Sequence, residues 1–123
     1  MPPRPSRVEE RQRRYRQGHR GEWLAAAYLK AKGYRILGRR VATGAGEIDI
    51  IALRRGRVAF VEVKRRSDLA AAEASVSSRQ RQRIHRAADL WLARHASYQT
   101  CQMGFDLIFV LPWRLPKHLP NAL

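Results

Sequence analysis

Two runs in the middle of the chain carry its strongest pattern: Gly46-Glu47-Ile48-Asp49-Ile50-Ile51-Ala52-Leu53 and Val58-Ala59-Phe60-Val61-Glu62-Val63-Lys64, separated by Arg54-Arg55-Gly56-Arg57. β-Branched and aromatic residues dominate both, and a short Gly-containing link between such runs predicts a β-hairpin. A turn centred on Arg55 and Gly56 sets Arg54 opposite Arg57. The same register sets Asp49 opposite Glu62 and Glu47 opposite Lys64. Strand alternation then gives one apolar face to Ile48, Ile50, Val61 and Val63, and puts Glu62 and Lys64 together on one side.

The flanking segments read as helices and further strands. Met1 to Pro5 is Pro-rich and reads as disordered, after which Ser6 can cap a helix whose early acids Glu9 and Glu10 pair at i, i+4 with Arg13 and Arg14. Gly18 and Gly21 interrupt that pattern, so the core-packed helix is expected to begin near them, with Leu24, Ala25, Tyr28 and Leu29 as its apolar face and Gly33 as its stop. Tyr34 to Val41 reads as a strand. Arg65 to Ser78 is helix-compatible at its Ala-rich centre and loop-like at its Ser-rich end. Ser77 or Ser78 then caps a helix with Ile84, Ala87, Ala88, Trp91 and Leu92 on one face. Phe105 to Leu111 is the last strand, and Pro112, Pro116 and Pro120 oppose regular continuation. The order αβββαβ predicts an α/β domain, a mixed sheet flanked by helices. Three parts result: a basic extension over 1–17, partly disordered or helical; a folded domain over 18–111; and a Pro-rich tail over 112–123.

Charge changes the picture from fold to partner. The 123 residues carry 25 Lys and Arg against 10 Asp and Glu, a formal charge of +15, and such an excess favours a polyanion. Arginine supplies most of it, and its planar fork makes bidentate contacts with phosphate that an ammonium cannot. Nucleic acid is therefore the expected partner, DNA ahead of RNA. The alternative is an Arg-rich composition that leaves only a solvated basic surface. The single Cys101 excludes an intramolecular disulfide framework and a Cys-rich zinc knot. No apolar run approaches the roughly 18 residues of a membrane span, and the basic start is not followed by a signal-peptide apolar region. A soluble, cytoplasmic protein without a membrane partner is expected.

Against that background the hairpin acids have a chemical reading. Hydrolysis of a phosphodiester needs a polarising metal, a positioned water and positive charge near the transition state. Asp49 and Glu62 offer hard oxygen ligands suited to Mg2+ or Mn2+, with the Val63 backbone carbonyl as a third. Lys64 would orient or deprotonate the attacking water. The bland alternative is that Glu47, Asp49, Glu62 and Lys64 form cross-strand ion pairs on a solvent-exposed face. Ile51 and Phe60 argue that the hairpin is not a surface ribbon, and charges in a buried hairpin are costly unless paired or metal-bound.

Asp, about a dozen residues, then Glu-x-Lys in an αβββαβ order resembles the PD-(D/E)xK nuclease superfamily, with its restriction endonuclease-like three-layer core and its Holliday junction resolvase-like members. Closer still, Gly18-x-x-Gly21-Glu22 leading to Tyr28-Leu29, the Lys32-Gly33-Tyr34-x-Ile36-Leu37 segment, the Gly46 to Ala52 run and Phe60-Val61-Glu62-Val63-Lys64-Arg65-Arg66 resemble the bacterial family called YraN or UPF0102. The likeness covers about Gly18 to Val110. It implies Asp49, Glu62 and Lys64 as the catalytic set, with Glu22 as a helix-borne acid that joins the metal. Spacing to Ala25 and Leu29 puts Glu22 on the inward face; its plainer role is a salt bridge to an Arg near the helix start. Gln80 departs from the Lys that the pattern has at the start of the second helix. A Gln there can still hydrogen-bond a ligand carboxylate or a water. The Ala-rich Leu69 to Ala74 departs likewise from a Gly/Pro-containing loop.

The implied function is a metal-dependent endonuclease acting on DNA, including branched or distorted structures, with Arg65, Arg66, Arg79, Arg81, Arg83 and Arg86 as phosphate contacts. Symmetric cutting of two strands would call for a homodimer. The rivals are a non-catalytic nucleic-acid-binding protein of the same fold and a subunit that delivers DNA to another enzyme. His85 and His95 lack partners at metal spacing. Asp106 reads first as an anchor for a backbone amide or an Arg. Trp23, Trp91 and Trp113 read first as core or rim, although Trp113 in the Pro-rich tail is placed to meet a base or a partner chain.

Overall fold

The computed structural model describes residues 6–123, with side chains given outside 9–20. The expectations for Met1 to Pro5 and for the Glu9 and Glu10 pairs lie outside the described parts. Helix α1 (Arg7–Ala31) runs without a break through Gly18 and Gly21. From Gly21 onward it is packed against the sheet, where Glu22, Ala25, Ala26 and Leu29 are buried at i, i+3, i+4, i+7 spacing. Leu24, expected on the apolar face, is exposed together with Trp23, because the buried stripe follows Ala26 rather than Leu24.

The strands are β1 (Arg35–Thr43), β2 (Gly46–Arg54), β3 (Arg57–Arg65), β4 (Gln102–Val110) and β5 (Lys117–Leu119), joined in that order into one sheet. Only β3 and β4 pair in parallel; the other neighbours are antiparallel. The crossover between them carries α2 (Leu69–Ala74), α3 (Ser78–Ala93) and a 3-10 turn, Ala96–Tyr98. The fold is thus α/β with a mixed sheet flanked by helices, compatible with a restriction endonuclease-like core. Helix α1 covers one face with Ile50, Ala52, Ala59, Val61, Ile108 and Val110. On the other face α3 covers Ile51, Val58 and Phe60, and α2 covers Leu107 and Phe109.

Local chemistry explains these elements. The β2–β3 turn places Arg55 at φ 50° and Gly56 at φ 75°, the two consecutive left-handed residues that a tight hairpin of this hand demands. The register runs Arg54↔Arg57 through Ile50↔Val61, as the turn dictates. At α3, the Ser77 side chain accepts from the Gln80 amide and the Gln80 side chain accepts from the Ser77 amide, a capping box.

The Pro-rich tail is more ordered than its prolines imply: between Pro116 and Pro120, β5 adds an edge strand through Leu107↔Leu119, Ile108↔His118 and Phe109↔Lys117. Edge strands tolerate flanking prolines because one side of the ladder is open. A buried polar network holds it. Asp106, fully buried, accepts two bonds from Arg57 (2.7 and 3.0 Å), one from the Asn121 backbone amide (2.9 Å) and one from His118 (2.8 Å). Lys32 Nζ lies 2.7 Å from His118 Nδ1, and an ammonium only donates, so Nε2 carries the proton given to Asp106. Burial raises the Asp106 pKa, but the bonds from His118, Arg57 and Asn121 outweigh it and hold the carboxyl well below the usual range. Gly104 is part of this device, since a Cβ there would overlap the Arg57 guanidinium.

Removing a carboxylate from such a network strands buried charge. Asp106→Ala is expected to lower the unfolding free energy by about 3–5 kcal/mol, read from urea denaturation. A loss below about 1 kcal/mol, within the range of exposed pairs, would show that the network does not hold the tail.

Candidate active site at the fork between β2 and β3

The hairpin pairing stops one step before the acids. Beyond Ile50↔Val61 no further β2–β3 partners occur among the described residues. Instead β2 stays with β1 (Val41↔Ile48, Ala42↔Glu47) while β3 stays with β4 (Glu62↔Leu107, Lys64↔Phe109). The sheet forks there, so neither expected pairing, Asp49 with Glu62 or Glu47 with Lys64, forms; Glu47 pairs with Arg40 at 3.2 Å. Ile48, expected beside Ile50, packs instead with the α3-side cluster, because β2 turns as it leaves β3.

Asp49 occupies the fork. Its Oδ2 accepts from the Val63 backbone N–H at 2.8 Å, replacing the ladder partner that β2 no longer supplies. Extended backbone points a residue's N–H and C=O to the same edge, so the Val63 carbonyl faces the same gap. Glu62 and Lys64 flank Val63 on the α3 side, with Lys64 Nζ 3.9 Å from Glu62 Oε1. Arg83 of α3 donates to the same Glu62 oxygen at 3.1 Å and to the Glu47 backbone carbonyl at 3.2 Å. Glu22 enters from α1, with Arg40 Nε 3.7 Å from its Oε2.

These are not surface ion pairs. Glu22, Glu62 and Lys64 are only 8%, 8% and 7% exposed, so the exposed-face alternative holds only for Glu47, which pairs with Arg40 at the surface. Burial first, and the neighbouring Asp49 charge second, push both Glu22 and Glu62 up to about 7. Asp49 is also raised, chiefly by burial and against the bond from Val63. The Lys64 ammonium is lowered, again chiefly by burial. Glu62 Oε2 is buried without a hydrogen-bond partner, and an orphaned buried carboxylate oxygen calls for an absent ion or water. Among the described residues no group of three or more His, Cys, Asp or Glu side chains forms a ready-made metal cage. What the fork presents is the sparser set of Asp49, Glu62 and a backbone carbonyl, the kind magnesium uses alongside water and phosphate.

The other residues named from sequence divide. Gln80 is spent on the α3 cap rather than on the carboxylates. Arg83, half-buried, is engaged with Glu62 and the Glu47 carbonyl. Arg79, Arg81 and Arg86 lie exposed on α3, Arg65 is exposed at the end of β3, and Arg66 donates to the Arg65 carbonyl at 2.7 Å. Arg40 was not foreseen. A register shift between Ile36 and Gly38 and a φ of 53° turn it toward Glu22 and Glu47, and the only sequence signal was Gly38, a common mark of a bulge.

Fold and site together define an α/β protein with a buried carboxylate and lysine centre in a forked sheet. The chain belongs to the family described as Uncharacterised protein family UPF0102, whose model matches residues 21–110. It is 54% identical over 122 residues to a UPF0102 protein of Mesorhizobium japonicum, covering 99% of this chain and 96% of the relative. It is also 54% identical over 111 residues to one from Chelativorans sp., covering 90% of each. A third, from Rhodopseudomonas palustris, is 50% identical over 121 residues, covering 98% of this chain and 91% of the relative.

The raised carboxyls set a pH dependence. Their folded pKa of about 7 exceeds the ordinary value of 4.5, so the folded state holds protons that the unfolded state has lost. Their contribution to stability is full below pH 4.5 and is lost as pH rises through 7. In chelator, the melting temperature should therefore fall by several degrees between pH 5 and 8, and Glu62→Gln should flatten that fall. An unchanged slope in the Gln variant would contradict the assignment.

Proposed function

We propose that this protein is a metal-dependent endonuclease that hydrolyses DNA phosphodiester bonds, including those in branched or distorted DNA, and that it works in the cytoplasm. The carrying observation is the orphaned Glu62 oxygen beside Asp49 in a buried fork. The Asp49 charge repels Glu62 and, separately, Glu22; like charges so placed are costly, and a divalent cation is the partner that answers both the repulsion and the missing bond.

Asp49, Glu62 and the Val63 carbonyl are the residues to hold Mg2+ or Mn2+, with Glu22, whose carboxyl feels the Asp49 charge, as a further acid on the α1 side. Bound there, the ion would polarise the phosphoryl oxygen and acidify a water. Lys64, with its ammonium form disfavoured by burial, is suited to take a proton from that water near neutral pH. Arg83 fixes one Glu62 oxygen, so the other, which has no partner, would be the one to hold an ion. Arg65, Arg66, Arg79, Arg81 and Arg86 supply positive charge for the phosphate backbone, and with no base-reading set among them, shape and charge govern binding.

A second reading rests on Gln80. Its side chain is engaged in the helix cap and brings no charge to the centre, which favours a DNA-binding protein of this fold without cleavage. One comparison separates the two. In Mg2+ or Mn2+ the protein should cut linear or branched DNA, and Asp49→Asn or Lys64→Ala should reduce the rate by about a hundredfold or more. Asn keeps an acceptor for the Val63 amide, so folding is preserved. Binding in chelator should persist in both variants and weaken linearly in log–log terms with salt. Salt-dependent binding without cleavage across varied substrates would establish the second reading instead.

A further inference from the structure

We infer that the β4–β5 loop is a recognition element for unpaired nucleobases, with the Trp113 indole as the stacking surface. This deepens the proposed function by naming what the same site accepts: DNA with a single-stranded stretch next to the cleaved strand.

The loop's position follows from strand direction. β3 and β4 are parallel, with Lys64↔Phe109 and Arg65↔Val110 in register, and the Arg66 amide donates to the Val110 carbonyl at 3.2 Å. Both strands therefore end at the edge that carries Lys64. The chain continues through Leu111-Pro112-Trp113-Arg114-Leu115-Pro116 and returns as β5, with Phe109↔Lys117 closing the hairpin. Trp113 lies four residues beyond Phe109, itself one strand over from Lys64. At about 3.5 Å per residue and about 4.8 Å per strand its Cα is within ~20 Å of Lys64, the reach of about six nucleotides of one strand.

Its presentation is unusual for a tryptophan. The side chain is 103% exposed, and Leu115 beside it is 79% exposed. Its φ is 59°, a left-handed conformation that a bulky residue adopts at a cost. Pro112 fixes the backbone just before it, and the Asp106 network with Arg57, His118 and Asn121 fixes the strand just after it. A strained backbone anchored on both sides, ending in an indole that packs on nothing, is built to present that ring outward. Arg65, Arg114 and Lys117 are exposed cations near this edge in sequence. An aromatic face amid arginines on a chain of charge +15 matches a base and its phosphates, since every base has a face to stack while fully paired duplex keeps its faces covered. An apolar protein partner would be poorly matched to that charge.

The test uses the full chain in chelator, so that binding is measured apart from cleavage. Two DNAs of equal length are compared, one fully paired and one with a short single-stranded gap, by fluorescence anisotropy at moderate salt. Trp113→Ala should weaken binding to the gapped DNA about tenfold and change binding to paired DNA by less than about twofold. Trp113→Phe should recover most of the loss, and gapped DNA should quench tryptophan emission in the wild type but not in the Ala variant. Equal weakening on both DNAs, no weakening on either, or failure of the wild type to bind the gapped DNA overturns the inference. So does a wild-type dimer that Trp113→Ala dissociates, which would assign the loop to a second copy of the chain. Cleavage is scored separately with Mg2+: selective gapped binding without cutting leaves this inference and removes the nuclease reading, and cutting without selectivity does the reverse.

Discussion

The place where β2 parts from β3 is the constraint on which the rest of the site depends. A continuous ladder would have filled the gap with backbone hydrogen bonds and left no room between the strands. By stopping at Ile50↔Val61 the sheet exposes the next amide of β3 that faces β2, and the Asp49 carboxylate takes it. Pairing of β3 with β4 continues through Arg65↔Val110, so Glu62, Val63 and Lys64 stay on a rigid strand although their other neighbour has left. The opening also joins the two sides of the sheet. Glu22 reaches it from α1 and Arg83 from α3, and side chains from opposite layers meet only where a sheet is open.

A second tension lies between the whole chain and its centre. The net charge of +15 produces a field that draws polyanions in, yet the groups at the fork are acids that repel phosphate at short range. Arg40 and Arg83 temper this without removing it, since burial still pushes Glu22 and Glu62 up to about 7. A basic surface around an underneutralised acidic cleft is coherent if a cation completes the cleft. It is hard to rationalise as a site for ionic stability alone, because buried pairs seldom repay their desolvation. The Asp106 network is the contrasting case. There every carboxylate lone pair has a donor and the pKa falls, the signature of a structural ion pair.

Much of this was legible in the sequence because it depends on local rules. The hairpin register followed from Gly56 and a period of two, α3 from a Ser cap and a 3.6-residue apolar period, and the inward face of Glu22 from its spacing to Ala25 and Leu29. What escaped depends on where elements stop interacting. Alternation predicts that Ile48 sits with Ile50, but alternation presumes a continuing ladder, and the fork breaks it. Arg40 reached the acids through a bulge, which shifts register without a distinctive residue beyond Gly38. Gln80 read in sequence as a contact to a ligand carboxylate or a water, and its capping bond to Ser77 emerged only with the helix start in place. The short β5 was hidden because three residues between prolines carry no periodicity; it exists by tertiary pairing with β4 and the buried His118.

Strand direction gives the site its means of variation. In a sheet whose central pair is parallel, the loops after both strands emerge at the same edge, the general location of ligand sites in α/β folds. Here that edge carries the end of β3 with Lys64, the segment leading to α2, and the β4–β5 loop. The acids are fixed by the core, since moving Asp49 or Glu62 would disturb Ile50 and Val61, which are fully buried. Helix α2 is held by Ala72 against Leu107 and Phe109, but the 112–115 tip is exposed and can change length and chemistry without cost to the carboxylate geometry. Under the proposed function, that exposed tip is therefore where differences in accepted substrate would arise without disturbing the strands. The exposed tip stays in place because Asp106, deep in the sheet, anchors the strand that follows it.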